Sequence, residues 1–140
     1  MRQIAAVLLS CALFSAVLLT SSTSEAYADV SGQAVVDDAR SYIGTGYGAA
    51  GFDCSGFTSA VFADLGVYLP DSPGGQYAYG RPSSGEAGDL VFFNEHGYGI
   101  SHVGIATGYG TVIHASTYYG SVVESSMQYI PGYVGAVDAY

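Results

Sequence analysis

Gly51-Phe52-Asp53-Cys54-Ser55-Gly56 opens a helical pattern around which the rest of the chain can be placed. Phe57, Ala60, Val61 and Leu65 follow at i, i+3, i+4 and i+8, which is one face of a helix, and Gly66 supplies its stop. Asp53 suits the N-cap, so Cys54 falls in the first turn. There, unpaired backbone N–H groups and the positive end of the helix dipole favour thiolate over thiol. That spacing makes Cys54 a candidate nucleophile. The alternative is a small buried hydrophobe that happens to open a helix.

Upstream, Ser31 to Ile43 reads as a first helix, capped by Ser31, with Val35, Val36, Ala39, Tyr42 and Ile43 apolar and Gly44 as its stop. The glycine-rich segment Gly44–Gly51 joins the two helices. It lacks the lysine and Ser/Thr of a phosphate-binding loop, so close approach of backbone to a cleft is the expectation. Before this, Met1-Arg2-Gln3, an apolar run from Ile4 to Thr20 and Ala26-Tyr27-Ala28 compose a secretory leader. Residues 1–28 are therefore expected to be removed as a signal peptide. A retained anchor is the alternative, since the run is barely short of the roughly 18–20 residues that span a bilayer. Residues 29–140 are enough for one domain.

Cys11 leaves with the leader, so Cys54 becomes an unpaired thiol in an oxidising compartment, which suggests a reactive group. The 140-residue chain carries a net charge of −9, with three Lys and Arg against twelve Asp and Glu. Arg40 and Arg81 are the only cations past the leader. Such a field draws the protein to neither nucleic acid nor anionic lipid.

Downstream, Val67–Gly88 is rich in proline and glycine and reads as loop, with a short turn around Gln76. Strands follow. Asp89–Phe93 is a continuous apolar run, and Ile100–Thr107 alternates, with Val103 and Ile105 on one side and His102, Gly104 and Ala106 on the other. Gly108-Tyr109-Gly110 is a turn, Thr111–Ser116 returns, and Val122-Val123 and Tyr133–Val137 complete a set of about five strands. Helices first and antiparallel strands afterwards indicate an α+β domain.

His102 and His114 stand one on each arm of the proposed hairpin. With a three-residue loop, Thr107 faces Thr111, and the two histidines share a face about 7–8 Å apart on the diagonal. A two-residue loop would put them on opposite faces. Small neighbours (Gly104, Ala106) leave room on that face, and the cysteine helix is expected to cover it. Thiol, base and orienting group would then meet, as covalent catalysis requires. Two alternatives stand beside this: Cys54, His102 and His114 as three zinc ligands, without any CxxC, HxH or HExxH spacing, or histidines unrelated to Cys54. His96, in the loop Asn94–Gly97, belongs with the last.

Phe52-Asp53-Cys54-Ser55-Gly56-Phe57, Gly88-Asp89-Leu90-Val91-Phe92-Phe93, Ser101-His102-Val103-Gly104-Ile105 and Val112-Ile113-His114-Ala115 resemble, in order, the motifs of the NlpC-type cell-wall peptidases. That family is papain-like and cleaves peptidoglycan stem peptides. The resemblance implies a papain-like α+β fold, with Cys54 as nucleophile, His102 as base and His114 as the residue that orients it. It further implies Tyr47 near the oxyanion region, and Asp53 and Ser55 shaping the substrate end of the cleft. No metal or other cofactor is implied. The expected protein is a secreted monomer, free of the membrane once the leader is cleaved. Its partner would be a peptidoglycan stem peptide, cut between D-glutamate and the diamino acid. An amidase or acyltransferase on the same scaffold, or an inactive wall-binding module, is the alternative. The chain departs from the family in having no tryptophan and in its short Leu69–Gly88 segment, both where substrate is gripped.

Overall fold

A computed structural model describes residues 29–140, and the leader expected over residues 1–28 lies outside them. Three helices come first: α1 (Gly32–Ser41), α2 (Cys54–Asp64) and α3 (Pro73–Tyr79). Six strands follow: β1 (Arg81–Ser83), β2 (Leu90–Phe93), β3 (His102–Ala106), β4 (Thr111–Ser116), β5 (Ser121–Ser126) and β6 (Tyr133–Asp138). They form one antiparallel sheet in the order β1-β6-β2-β3-β4-β5. The α+β expectation holds, with one strand more than the about five read from periodicity. The addition is β1, three residues on the sheet edge that include Pro82, too short and too proline-marked to show a period. The turn expected around Gln76 is the helix α3, capped by Ser72, whose Oγ accepts the Gly75 N–H at 3.0 Å. Ser72-Pro73 is a helix-start signal that the two glycines after it obscured.

The helices cover one face of the sheet. Val35, Val36 and Ala39 of α1 and Phe57, Val61 and Phe62 of α2 pack with Leu90, Phe92, Val103, Ile105, Ile113 and Ala115. Burying side chains such as Phe57 and Phe62 is worth about 1.5–3 kcal/mol each, which pins α2 to the sheet. Val91, Phe93, Ala106, Val112 and Ala136 face the other way, under Met127 and Ile130. By alternation His102 and His114 lie on this second face. The expectation that the cysteine helix covers the histidine face is therefore corrected. The branched Val103/Ile105/Ile113 face is the one that had to leave water, and it took both helices.

The hairpin has the three-residue loop. Thr107 N–H donates to the Thr111 carbonyl at 3.1 Å, and Ile105 faces Ile113. Gly108 and Gly110 hold φ of +86° and +80°, which glycine adopts without strain. Gly104 answers a different need: a Cβ there would stand 3.0 Å from the Cβ of His114 and collide with Val112. The missing methyl lets His114 lie close over β3.

A buried amide ties α3 to α2. Gln76, wholly shielded from water, sends its Nε2 to the carbonyls of Ser55 (3.2 Å) and Pro70 (3.0 Å) and to Ser59 Oγ (3.1 Å). Its Oε1 accepts from Thr58 Oγ1 at 2.7 Å. Among the described residues, no helix is long and apolar enough to cross a membrane.

Candidate active site

The first turn of α2 is fixed by Asp53, whose Oδ1 accepts the Gly56 N–H at 2.6 Å and whose carbonyl accepts that of Phe57 at 2.9 Å. Ser55 Oγ donates weakly to the same carboxylate at 3.4 Å, and Ser55 is buried. Asp53 and Ser55 are thus part of the cap that aims Cys54. Gly56 has no room for a Cβ, because the Gly51 carbonyl lies against it.

Cys54 sits at the end of its helix, against the start of β3. Its sulfur donates toward the Ser101 carbonyl oxygen at 3.9 Å, and the Val103 N–H is directed at the same sulfur. Those two groups belong to the two peptide units that flank His102. The nucleophile candidate therefore lies against the backbone beside His102, with its own helix on the sheet face opposite the imidazole.

Beyond Cys54 the histidines form a chain. His102 Nε2 meets His114 Nδ1 at 2.8 Å, and His114 Nε2 meets Ser125 Oγ at 2.9 Å. If both Nε2 atoms carry the proton, His102 donates to His114 and His114 donates to Ser125. That tautomer pair leaves His102 Nδ1 free to accept a proton. Glu95 stands 3.8 Å from that Nδ1, placed to stabilise the imidazolium once formed.

Burial sets the electrostatics. It pushes the Cys54 thiol up, partly offset by the N–H groups of Val103, Ser55 and Cys54 itself and reinforced by Asp53. It pushes the His102 imidazole down, against the pull of Glu95. His114 is pushed down to about 4 by burial and then by His102. Burial thus favours the uncharged thiol and imidazole over the ion pair. Desolvation of Cys54, a residue only 8% exposed, opposes the dipole's pull toward thiolate.

Tyr47 lies on the glycine-rich segment, which runs along β5 through bonds between Gly44, Thr45 or Tyr47 and Gly120 or Val122. Its phenol is pushed up by partial burial first and then by the nearby Cys54, Asp53 and Glu95. Gly48 and Gly51 have positive φ and open space around them, so backbone conformation, and not close approach to a cleft, demands glycine there. His96 is exposed, as assigned. Among the described residues, no three His, Cys, Asp or Glu side chains are grouped to hold a metal ion.

Sequence reasoning missed Ser125 and Glu95. Ser125 pairs with Val112 across β4 and β5, one diagonal step from His114, and only the strand register reveals it. Glu95 sits in the loop before β3, with its N–H held by Ser101 Oγ at 3.1 Å. Spacing to His102 gives no signal for it.

Comparison with known proteins adds the following. The NlpC/P60 family matches residues 39–134. A protein of Corynebacterium glutamicum named a probable endopeptidase is 41% identical over 126 residues, covering 84% of this chain and 59% of that protein. The gamma-DL-glutamyl hydrolase of Bacillus subtilis is 44% identical over 93 residues, covering 59% of this chain and 22% of the hydrolase. This chain thus spans little more than half of the first relative and less of the second. Among solved structures, the NlpC/p60 domain of the peptidoglycan hydrolase SagA superposes with a TM-score of 0.69 at 38% identity, over 78% of this chain and 99% of that domain.

Proposed function

The chain belongs to the NlpC/P60 family, and from that premise we propose that it is a secreted cysteine endopeptidase of peptidoglycan stem peptides, cutting between D-glutamate and the diamino acid. The observation that carries this reading is the approach of the Cys54 sulfur to the Ser101 carbonyl, in the peptide just before His102, whose Nε2 meets His114 at 2.8 Å. The choice of bond is supported by the likeness to a relative named for γ-glutamyl hydrolysis.

In this reading His102 Nδ1 takes the thiol proton as the sulfur attacks the scissile carbonyl carbon. The carbonyl electron pair moves onto oxygen, which the Cys54 N–H and the Tyr47 hydroxyl receive. The tetrahedral adduct collapses, the C–N bond breaks, and His102 returns its proton to the leaving amine. A thioester remains on Cys54. Water then attacks it, gives a proton to His102, and releases the acid and the free thiol. His114 holds the ring and its tautomer, and Asp53 and Ser55 hold the helix end that presents the sulfur.

Digestion of purified wall, with the fragments identified by mass, tests the proposal. The expected products carry a free γ-carboxyl on D-glutamate and a new amino terminus on the diamino acid, and Cys54→Ala yields none. Release of whole stem peptides from the sugar would assign an amidase instead.

A further inference from the structure

A cavity of about 410 Å³ opens on the histidine face, on the side of His102 away from the helices. His102 and His114 line it, together with Glu95 from the loop before β3, Tyr118 and Tyr119 from the β4–β5 turn, and Tyr129 from the segment before β6. Cys54 is not among its walls. That position identifies which half of a substrate it faces. The proton that His102 collects must reach the departing nitrogen, which therefore lies on the imidazole side of the scissile bond. The residue that begins with that nitrogen extends over His102 into the cavity.

The charge of the walls is one-sided. Glu95 is the one acid among them, burial disfavours the charged form of both imidazoles, and no lysine or arginine lines the space. Arg40 and Arg81 are engaged elsewhere, with Glu124 at 3.2 Å and Asp138 at 2.9 Å. A carboxylate entering the cavity would meet Glu95 with no counter-charge. An ammonium or carboxamide would meet an acceptor and aromatic faces, both favourable. We propose that this cavity is the leaving-group subsite, that it takes a diamino residue whose side chain ends in an amine or a carboxamide in preference to one carrying a free carboxylate, and that Glu95 sets the preference. This rests on the endopeptidase reading above.

The test is a set of synthetic stem peptides that differ only in the residue after D-glutamate: lysine, diaminopimelate with its distal carboxyl amidated, and diaminopimelate with that carboxyl free. The first two are expected to be cleaved with kcat/KM about tenfold above the third. Because Glu95 also faces His102, its variants are judged by ratios between peptides, in which any change to the shared chemistry cancels. Glu95→Gln should bring the three peptides together, and Glu95→Lys should turn the order round. Equal cleavage of all three by the unaltered protein, or a preference for the free carboxylate, overturns the subsite while leaving the endopeptidase intact. Unchanged ratios in Glu95→Lys overturn the role of Glu95. Failure to cleave any of the three, with the thiol titrating as free, overturns the endopeptidase reading and the subsite with it.

Discussion

Two buried polar groups stand on opposite faces of this sheet, and they differ in what burial does to them. On the helix side, Gln76 is wholly enclosed and its amide is bonded to Thr58, Ser59 and the carbonyls of Ser55 and Pro70. On the other side, His102 and His114 are nearly as enclosed, yet they border a cavity and their rings can gain or lose a proton. Gln76 has no second state, so its burial stabilises one arrangement. The histidines have a second state that burial disfavours and that Glu95, 3.8 Å away, makes attainable. Burial of a polar group marks a reaction centre only when the group is left with a proton to exchange and a route to solvent.

The contrast breaks most visibly at His102. His102→Gln is expected to lower wall digestion by about 10²–10⁴, since an amide cannot accept and return a proton, while circular dichroism and melting temperature stay close to those of the parent. A large loss of stability with a small loss of rate would make His102 a structural residue like Gln76. Gln76→Ala should do the converse. Orphaning Thr58 and the surrounding carbonyls costs about 1–3 kcal/mol, read by denaturant unfolding, with turnover of the folded fraction changed far less.

Smaller effects sharpen the comparison within the histidine chain. His114→Asn should keep more turnover than His114→Ala, because an amide oxygen can still accept from His102 Nε2. Ser125→Ala removes only the outer partner of His114 and should cost about fivefold, the equivalent of one hydrogen bond of about 1 kcal/mol. Rescue by Ser125→Thr would separate positioning from packing.

The smallest expected effect is a pH shift. If His102 is the proposed base it works in its neutral form, so a pKa lowered by burial carries the acid limb of kcat/KM below the 6.5 of an ordinary imidazole. Glu95 favours the charged ring, so Glu95→Gln should move that limb further toward acid. A limb at or above 6.5 in the parent would show that the ring is less buried than the fold implies.

Much of this arrangement was legible in the residues. Asp53 before an i, i+3, i+4 pattern gives α2 and the place of Cys54 on it, and a glycine at each end of a three-residue loop gives the register that brings the two histidines together. What could not be read arises from pairing over long sequence distances. β1 exists because β6 offers it an edge, and α3 because Gln76 finds four partners on α2 and the preceding loop. The face taken by the helices was misjudged because small residues beside the histidines looked like room for a helix, whereas the branched residues on the reverse side had more apolar area to remove from water. The burial of the thiol was hidden for a related reason. A cap and a dipole are local to the sequence, while desolvation depends on everything that folds over the sulfur.

Gly104 carries a consequence for anyone who surveys this chain by substitution. Alanine scanning treats each replacement as a deletion and ranks residues by what is lost. At Gly104 alanine is an insertion: the one atom it adds falls against Val112 and within 3.0 Å of the Cβ of His114, so the ring is displaced from His102 by a residue with no functional group. Such a scan would score position 104 with Cys54 and His102, although a glycine has no side-chain group that could exchange a proton. The interpretable experiment there pairs Gly104→Ala with a smaller residue at Val112, which returns the space the methyl has taken.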